Sequence, residues 1–473
     1  MQLIQPHSAV PSLHPIFRVV VSSVLLAGFC HAAGAAEHRV ALQTAKFDCS
    51  SAKPGDTVTL AAGTRGQLNI TNCNGTSSNP ITIRNDPAGN GPTVIQQSSG
   101  GSGGFVFTCS SCVGVVIDGT TKWAGAPSHP TYGIKVAMAG GGSPSAFLRL
   151  TGLSRFVVVR GVEVDGGWPA LATNGIGISV NDHDMKAINY PGVWTEGVTI
   201  ENNYVHDVEG EGLYVGPNWY KGNLPLRDIV IRNNLIEDTG WDGIQLKSAI
   251  GGTNLIHHNV LRRVGQQQDH GQLTGISLLD GTGRIYNNWI EKSGDAGIRH
   301  FLGDLPRSYG DQVSEIYNNV IVDSGQVRST PGHGIASNSK DGFARPIARI
   351  YNNTVVGAMD SGILVGGQAA GGFVRDNVVA NSADKPIVAP TVVSQSNNRV
   401  GSVSEMAFVD APSLDFRLRA SSPARNAGSS SFPLTDFNDV PRPQDGRPAQ
   451  GAFEYVDAAA APRPQAPQSV AVE

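Results

Sequence analysis

Six segments of the chain repeat one pattern, a turn, a glycine and a short apolar strand: GEGLYVG, WDGIQLK, LTGISLL, DAGIRHF, GHGIASN and DSGILVG. When they are aligned on the glycine, the second residue beyond it is Tyr214, Gln245, Ser277, Arg299, Ala336 and Leu364 in turn. The fourth is Gly216, Lys247, Leu279, Phe301, Asn338 and Gly366. Side chains alternate along a strand, so both sets face the same way, outward. Lys247 and Arg299 then stand two repeats apart on one face, at backbone positions about 12 Å apart. An amine, a guanidinium and the phenol of Tyr214 could act there on a shared ligand. Such a set suits proton abstraction beside a carboxylate: the guanidinium offsets the anion, and the amine serves as base once burial or a neighbouring cation lowers its pKa.

Further polar residues gather around this face. Glu211 and Asp242 precede the turn glycines and are candidate cation ligands, with Ca²⁺ as the cofactor they would suit. His300 adjoins Arg299, while His270 and His333 open neighbouring segments. Trp219 and Tyr220 in PNWYKGN offer flat surfaces on which sugar rings stack. The expected catalytic set is Lys247, Arg299, His300 and Tyr214. The expected binding set is Trp219, Tyr220, Gln245, His270 and His333. Each has a plainer competing reading: outward lysines keep a sheet soluble, acids before a turn glycine cap the turn, and the aromatics can pack down on the scaffold.

The elements that must position these residues are written in a second repeat: VTIENNYV, IVIRNNLI, NLIHHNVL, GRIYNNWI, SEIYNNVI, ARIYNNTV and GFVRDNVV. Its Asn recurs at Asn203, Asn234, Asn259, Asn288, Asn319, Asn353 and Asn377, at intervals of 31, 25, 29, 31, 34 and 24 residues. A variable period built from β-branched runs and turn residues predicts stacked coils of short strands, with loops absorbing the length differences. At the corner, Asn tolerates left-handed backbone angles, and its amide can bond the Asn above and below. That makes the Asn row structural. His257 and His258 occupy the same row positions and are read the same way.

Through the NNxI and xGI signatures over roughly 195–380, the chain resembles pectate-lyase-like proteins. The resemblance implies an all-β fold, a single-stranded right-handed parallel β-helix, expected over 37–400. Within LKSAIGGTNLIHHNVL it is also similar to polysaccharide lyase family 6, the alginate lyase and chondroitinase B group, and Lys247 maps onto that family's catalytic base. The family carries Arg-His-Gly one coil later, where this chain has LLDG at 278–281; its Arg-His pair, Arg299 and His300, comes a further coil on. The activity implied is β-elimination of a uronate-containing acidic polysaccharide. The alternatives are a non-catalytic polysaccharide-binding protein, a uronate C5-epimerase and a glycoside hydrolase. NDHDMK at 181–186 is similar to the Asp-His-Asp of mannuronan epimerases, but Asn181 breaks their longer pattern. GHG at 332–334 lacks the adjacent Asp pair of polygalacturonases.

Bulk properties narrow the partners. A net charge of −4 over 473 residues supplies no basic field for nucleic acid. At 40% hydrophobic residues, the chain can bury a large core. The start reads as an export signal over 1–36: Arg18, the apolar VVVSSVLLAGF, then small residues up to Ala36. No segment has the roughly 18 apolar residues of a membrane span, so a periplasmic or secreted monomer is expected. Four cysteines follow the signal; sequence order favours Cys49–Cys73 and Cys109–Cys112 among three connectivities. Residues 401–457 are expected to cap the open end, and 458–473 to form a disordered tail.

Overall fold

The computed structural model describes residues 35–457 except 98–103, 127–131, 141, 172–174, 182–184, 218–221, 269–271, 328–330 and 430–431. Most of the leader, the tail, Trp219, Tyr220, His270 and the Asp182–Asp184 triplet therefore lie outside the described residues.

Among the described residues, three long sheets, of 13, 12 and 12 strands, run the length of the body, and each complete coil contributes one strand to each. One middle coil shows the order: Val230–Arg232 enters the first sheet, Leu235–Thr239 the second and Ile244–Lys247 the third. Every strand pairs in parallel with its counterparts one coil away, as in Ile231↔Ile256, Ile236↔Leu261 and Leu246↔Leu278. The fold is a parallel β-helix whose first and last strands are Glu37–Val40 and Arg399–Gly401. Inside, like stacks on like: Ile200, Ile231, Ile256, Ile285, Ile316 and Ile350 form one buried file. The structure pairs Cys49 with Cys73 and Cys109 with Cys112.

The first corner divides labour between two residues. Asn202, Asn233, His258, Asn287, Asn318 and Asn352 take the left-handed backbone, with φ between 51° and 55°. The Asn that follows each makes the ladder. Asn288 Nδ2 donates to Asn319 Oδ1 at 2.9 Å, and its own Oδ1 accepts from Asn259 Nδ2 at 3.0 Å. The ladder runs unbroken from Asn203 to Asn398.

Glycine at the entry to the third sheet has an equally plain cause. A Cβ on Gly243 would meet Leu261 Cδ2 at 2.5 Å and the Gly275 carbonyl at 2.8 Å, and the same holds along the file. Residues that follow these glycines are therefore held in common register, as in Tyr214↔Gln245↔Ser277↔Arg299↔Ala336↔Leu364.

The extension 401–457 packs against the outward side of the second sheet. The second sheet's outward file, Leu235, Val260, Trp289 and Val320, is an apolar stripe that would otherwise face water. Met406, Phe408, Phe416 and Phe453 cover it, which places the extension along a flank of the coil. Arg442, fully buried, pins it through Glu454 and Asn318.

Replacing Asn288 by Ala strands buried partners above and below and should cost about 3 kcal/mol. The exposed Arg232→Ala should cost under about 1 kcal/mol. Thermal melting followed by circular dichroism compares the two; equal shifts would contradict the ladder's role.

Candidate functional site

The third sheet brings Tyr214, Gln245, Lys247 and Arg299 to one outward face. Tyr214 lies beside Gln245, and the Lys247 ammonium sits 5.1 Å from the centre of the Tyr214 ring. The backbone is tight here: a Cβ on Gly216, at φ +99°, would fall 2.2 Å from the Lys247 carbonyl oxygen.

Beneath this face lies a pair of buried acids. Glu211 and Asp242, each directly before a turn glycine, are 1% and 2% exposed. Gln245 Nε2 donates to Asp242 Oδ2 at 3.0 Å, Glu211 Oε1 at 3.3 Å and Gln272 Oε1 at 2.6 Å. Burial, and then the charge of Asp242, push Glu211 up to about 7. Burial pushes Asp242 up to about 6, against the Thr274 amide, Arg299, Ser277 and Lys247. Lys247 and Arg299 thus both favour the charged form of Asp242. Glu211 Oε2 and Gln245 Oε1 are buried with no hydrogen-bond partner. Orphaned oxygens beside a carboxylate pair form a donor set that fits a hard cation such as Ca²⁺.

Lys247 is the amine whose environment suits a base. Burial lowers its pKa, while Glu211, Asp242, Asp280 and Asp304 oppose the shift. It shares a depression with Leu279, Asp280, Phe301, Asp304 and Lys340. Asp280 is fixed there by three backbone amides, those of Gly303, Asp304 and Leu305, all donating to its Oδ1.

Arg299 forms an ion pair with Asp295. It opens on a second depression with His333, Ala336 and Leu364, and His333 lies 3.7 Å from Asp360.

His300 is not part of the face. It is the next residue after Arg299 along the strand, so alternation turns it inward, in register with Leu278 and Ser337. It is fully buried, within 3.2–3.3 Å of Ser337, Ser314 and the Gly281 carbonyl. Burial pulls its pKa down to about 4. A neutral core imidazole cannot reach an external ligand, which removes His300 from the expected catalytic set.

The positions before each glycine carried a signal that the outward columns did not show. Glu211 and Asp242 stack there in adjacent coils, and Asp295 and Asp360 each lie two residues ahead of a glycine. Gln272, Asp304 and Lys340 come from loops whose paths the repeat does not encode. Away from this sheet, Glu163, Asp165 and His206 bring ligand atoms within 4.8 Å of one another. Lys135 already bonds both acids, at 2.8 and 3.1 Å, and Asp207 holds His206 at 2.7 Å, so the charges there are matched internally.

A family model described as a right handed beta helix region matches residues 188–379. The chain is a right-handed parallel β-helix. Among solved structures it is similar to the pectate lyase Pel9A, at 16% identity over 89% of this chain and 96% of that one, TM-score 0.50. An alginate lyase from Paenibacillus sp. str. FPU-7 aligns at 16% identity over 77% and 99%, TM-score 0.42. A GH136 lacto-N-biosidase from Eubacterium ramulus aligns at 11% over 78% and 68%, TM-score 0.47. At these identities the likeness concerns the fold alone. No curated protein matches the chain. Among the described residues, no helix is long and apolar enough to cross a membrane.

The buried groups set opposite pH windows. Glu211 titrates in the folded chain near 7, above its ordinary 4.5, so folding loses stability as pH rises through that range. His300 titrates near 4, below its ordinary 6.5, so stability falls as pH drops between those values. Glu211→Gln, melted in chelator, should therefore flatten the loss between pH 5 and 8, a gain of roughly 3 kcal/mol, and leave the acid limb intact. An unchanged alkaline limb would show that Glu211 is not a buried acid.

Proposed function

We propose that the chain is an exported polysaccharide lyase that cleaves a uronate-containing polymer by β-elimination on the outward face of the third sheet, with Lys247 as base. The observation that carries this reading is a half-buried amine with a lowered pKa, on the same face as a guanidinium and above two buried acids. The two disulfides support export into an oxidising compartment.

In the reaction, Lys247 Nζ removes the C5 proton of the uronate. The released electron pair forms the C4–C5 double bond as the C4–oxygen bond breaks. The departing oxygen takes its proton from the Tyr214 hydroxyl, which lies beside Gln245 and against the Lys247 ammonium. Arg299 holds the sugar carboxylate; a guanidinium carries five N–H donors, so its pairing with Asp295 does not exhaust it. Glu211, Asp242 and Gln245 Oε1 would hold Ca²⁺ beneath the face, where its charge would favour the anion that develops at C5 without touching the sugar. Gln245 itself is fully buried and positions the acids. His333 lies further along the groove, beside Arg299.

The hydrolase alternative needs two carboxyls flanking a glycosidic bond, with space for sugar or water between them. Glu211 and Asp242 instead meet at one amide and are closed off from solvent.

Purified protein incubated with alginate, pectate and glycosaminoglycans should generate the ultraviolet absorbance of a conjugated unsaturated uronate. Lys247→Ala should lower that rate about a thousandfold while its melting midpoint stays near wild type. Reducing ends without absorbance would point to a hydrolase, inverted uronate stereochemistry without cleavage to an epimerase, and binding alone to a lectin-like role. For the cation, added Ca²⁺ should raise the melting midpoint of wild type but not that of the Glu211→Gln, Asp242→Asn double variant. Equal shifts would remove the cation from this position.

A further inference from the structure

The strand that ends at Lys247 turns a corner through 249–254 and enters the first sheet at Leu255. Beyond that corner lies another depression, lined by Thr253, Thr282, Val313 and an outward file of the first sheet, Arg284, Glu315 and Arg349. These last three stand in register on consecutive coils.

The charges of this file are not matched one to one. In earlier coils of the same sheet each arginine has its own acid: Arg160 donates to Asp118 at 2.7 Å, and Arg232 to Glu201 at 2.7 Å. Here one carboxylate serves two guanidiniums. Glu315 lies 2.9 Å from Arg284 and 3.6 Å from Arg349. The side chains of Arg284 and Arg349 are 58% and 41% exposed, against 15% for Glu315, so the cations stand forward and the anion is recessed between them. A guanidinium carries five N–H donors, and a shared carboxylate leaves most of them open to a ligand. Asp228 borders the same turn, but its Oδ1 already accepts from the Thr253 amide at 2.8 Å.

Coils are stacked about 4.8 Å apart, so the three steps from the coil of Thr253 to that of Arg349 cover roughly 14 Å, a length that suits a short run of sugar rings better than a lone anion. Thr253 and Thr282 offer hydroxyls to sugar oxygens, and Val313, 42% exposed, offers an apolar surface to a ring's C–H face. We infer that this depression is a second, non-catalytic saccharide site, in which Arg284 and Arg349 hold the carboxylate of an acidic sugar. The inference takes its class of ligand from the lyase reading, but its place is a different sheet and its role is retention. A long polymer engaged here and on the third sheet at once is held more tightly than either contact alone allows.

Titration calorimetry tests this on the full chain carrying Lys247→Ala, so that no ligand is consumed. The probes are tetrasaccharides of alginate and of pectate, with inorganic phosphate as the free oxyanion. Adding Arg284→Gln and Arg349→Gln should weaken one tetrasaccharide site about tenfold or more, the scale of a charge-assisted hydrogen bond. Glu315→Gln removes the competing charge, keeps the side chain's shape, and should tighten the same site about threefold; it also stands as the test if the arginine variant folds poorly. Both effects should fade as salt is raised. Absence of tetrasaccharide binding, binding that neither variant alters, or phosphate bound as tightly as sugar would overturn the site. The absorbance assay decides separately whether the protein is a lyase: the arginine-dependent site persists if that reading fails, and turnover of a short substrate persists if this one does.

Discussion

Everything in this molecule depends on register between successive coils. A parallel β-helix has no tertiary core separate from its strands, so each coil is held by the one before and the one after. The Asn ladder makes that register costly to break, because each amide bonds its neighbours on both sides and is sealed from water. The glycine file does the same at the entry to the third sheet, where any side chain would strike the next coil's carbonyl. With both corners fixed, residues at equivalent positions of different repeats become spatial neighbours. A lysine and an arginine fifty-two positions apart can therefore face one ligand.

The same scaffold explains why the candidate site sits on buried acids. Strands supply outward side chains at fixed steps, but the turn before each glycine adds a second layer, and there Glu211 and Asp242 stack under Gln245. Their burial costs stability at neutral pH, a cost that a purely structural turn would avoid by using Ser or Thr, as at Ser361 and Thr274. Retained ionisable groups with orphaned oxygens beneath an outward lysine form the kind of arrangement that binding and catalysis require and folding does not.

Much of this was legible in the sequence, because the repeat reports register directly. The NNxI and xGI rows placed Tyr214, Gln245, Ser277 and Arg299 in the file that the structure shows. What escaped has physical causes. His300 looked like a partner of Arg299 because the two are adjacent, yet adjacency in a strand means opposite faces. Asp295, Asp304 and Lys340 reach the groove through turns and loops of variable length, which carry no period to align. That the extension covers the second sheet's outward file, with Trp289 at its centre, was not legible, because the repeat does not mark which outward file is apolar and in need of cover.

The central claim is that a uronate polymer lies along the third sheet with its reactive ring at Lys247. The most direct measurement is a crystal structure of the Lys247→Ala protein grown with a uronate-containing oligosaccharide. The account predicts sugar density running parallel to the coil axis over Ser277 and Arg299, with one ring's C5 facing the vacated amine position. An oligosaccharide seated only on the other two sheets, or crossing the third sheet away from residue 247, would contradict it.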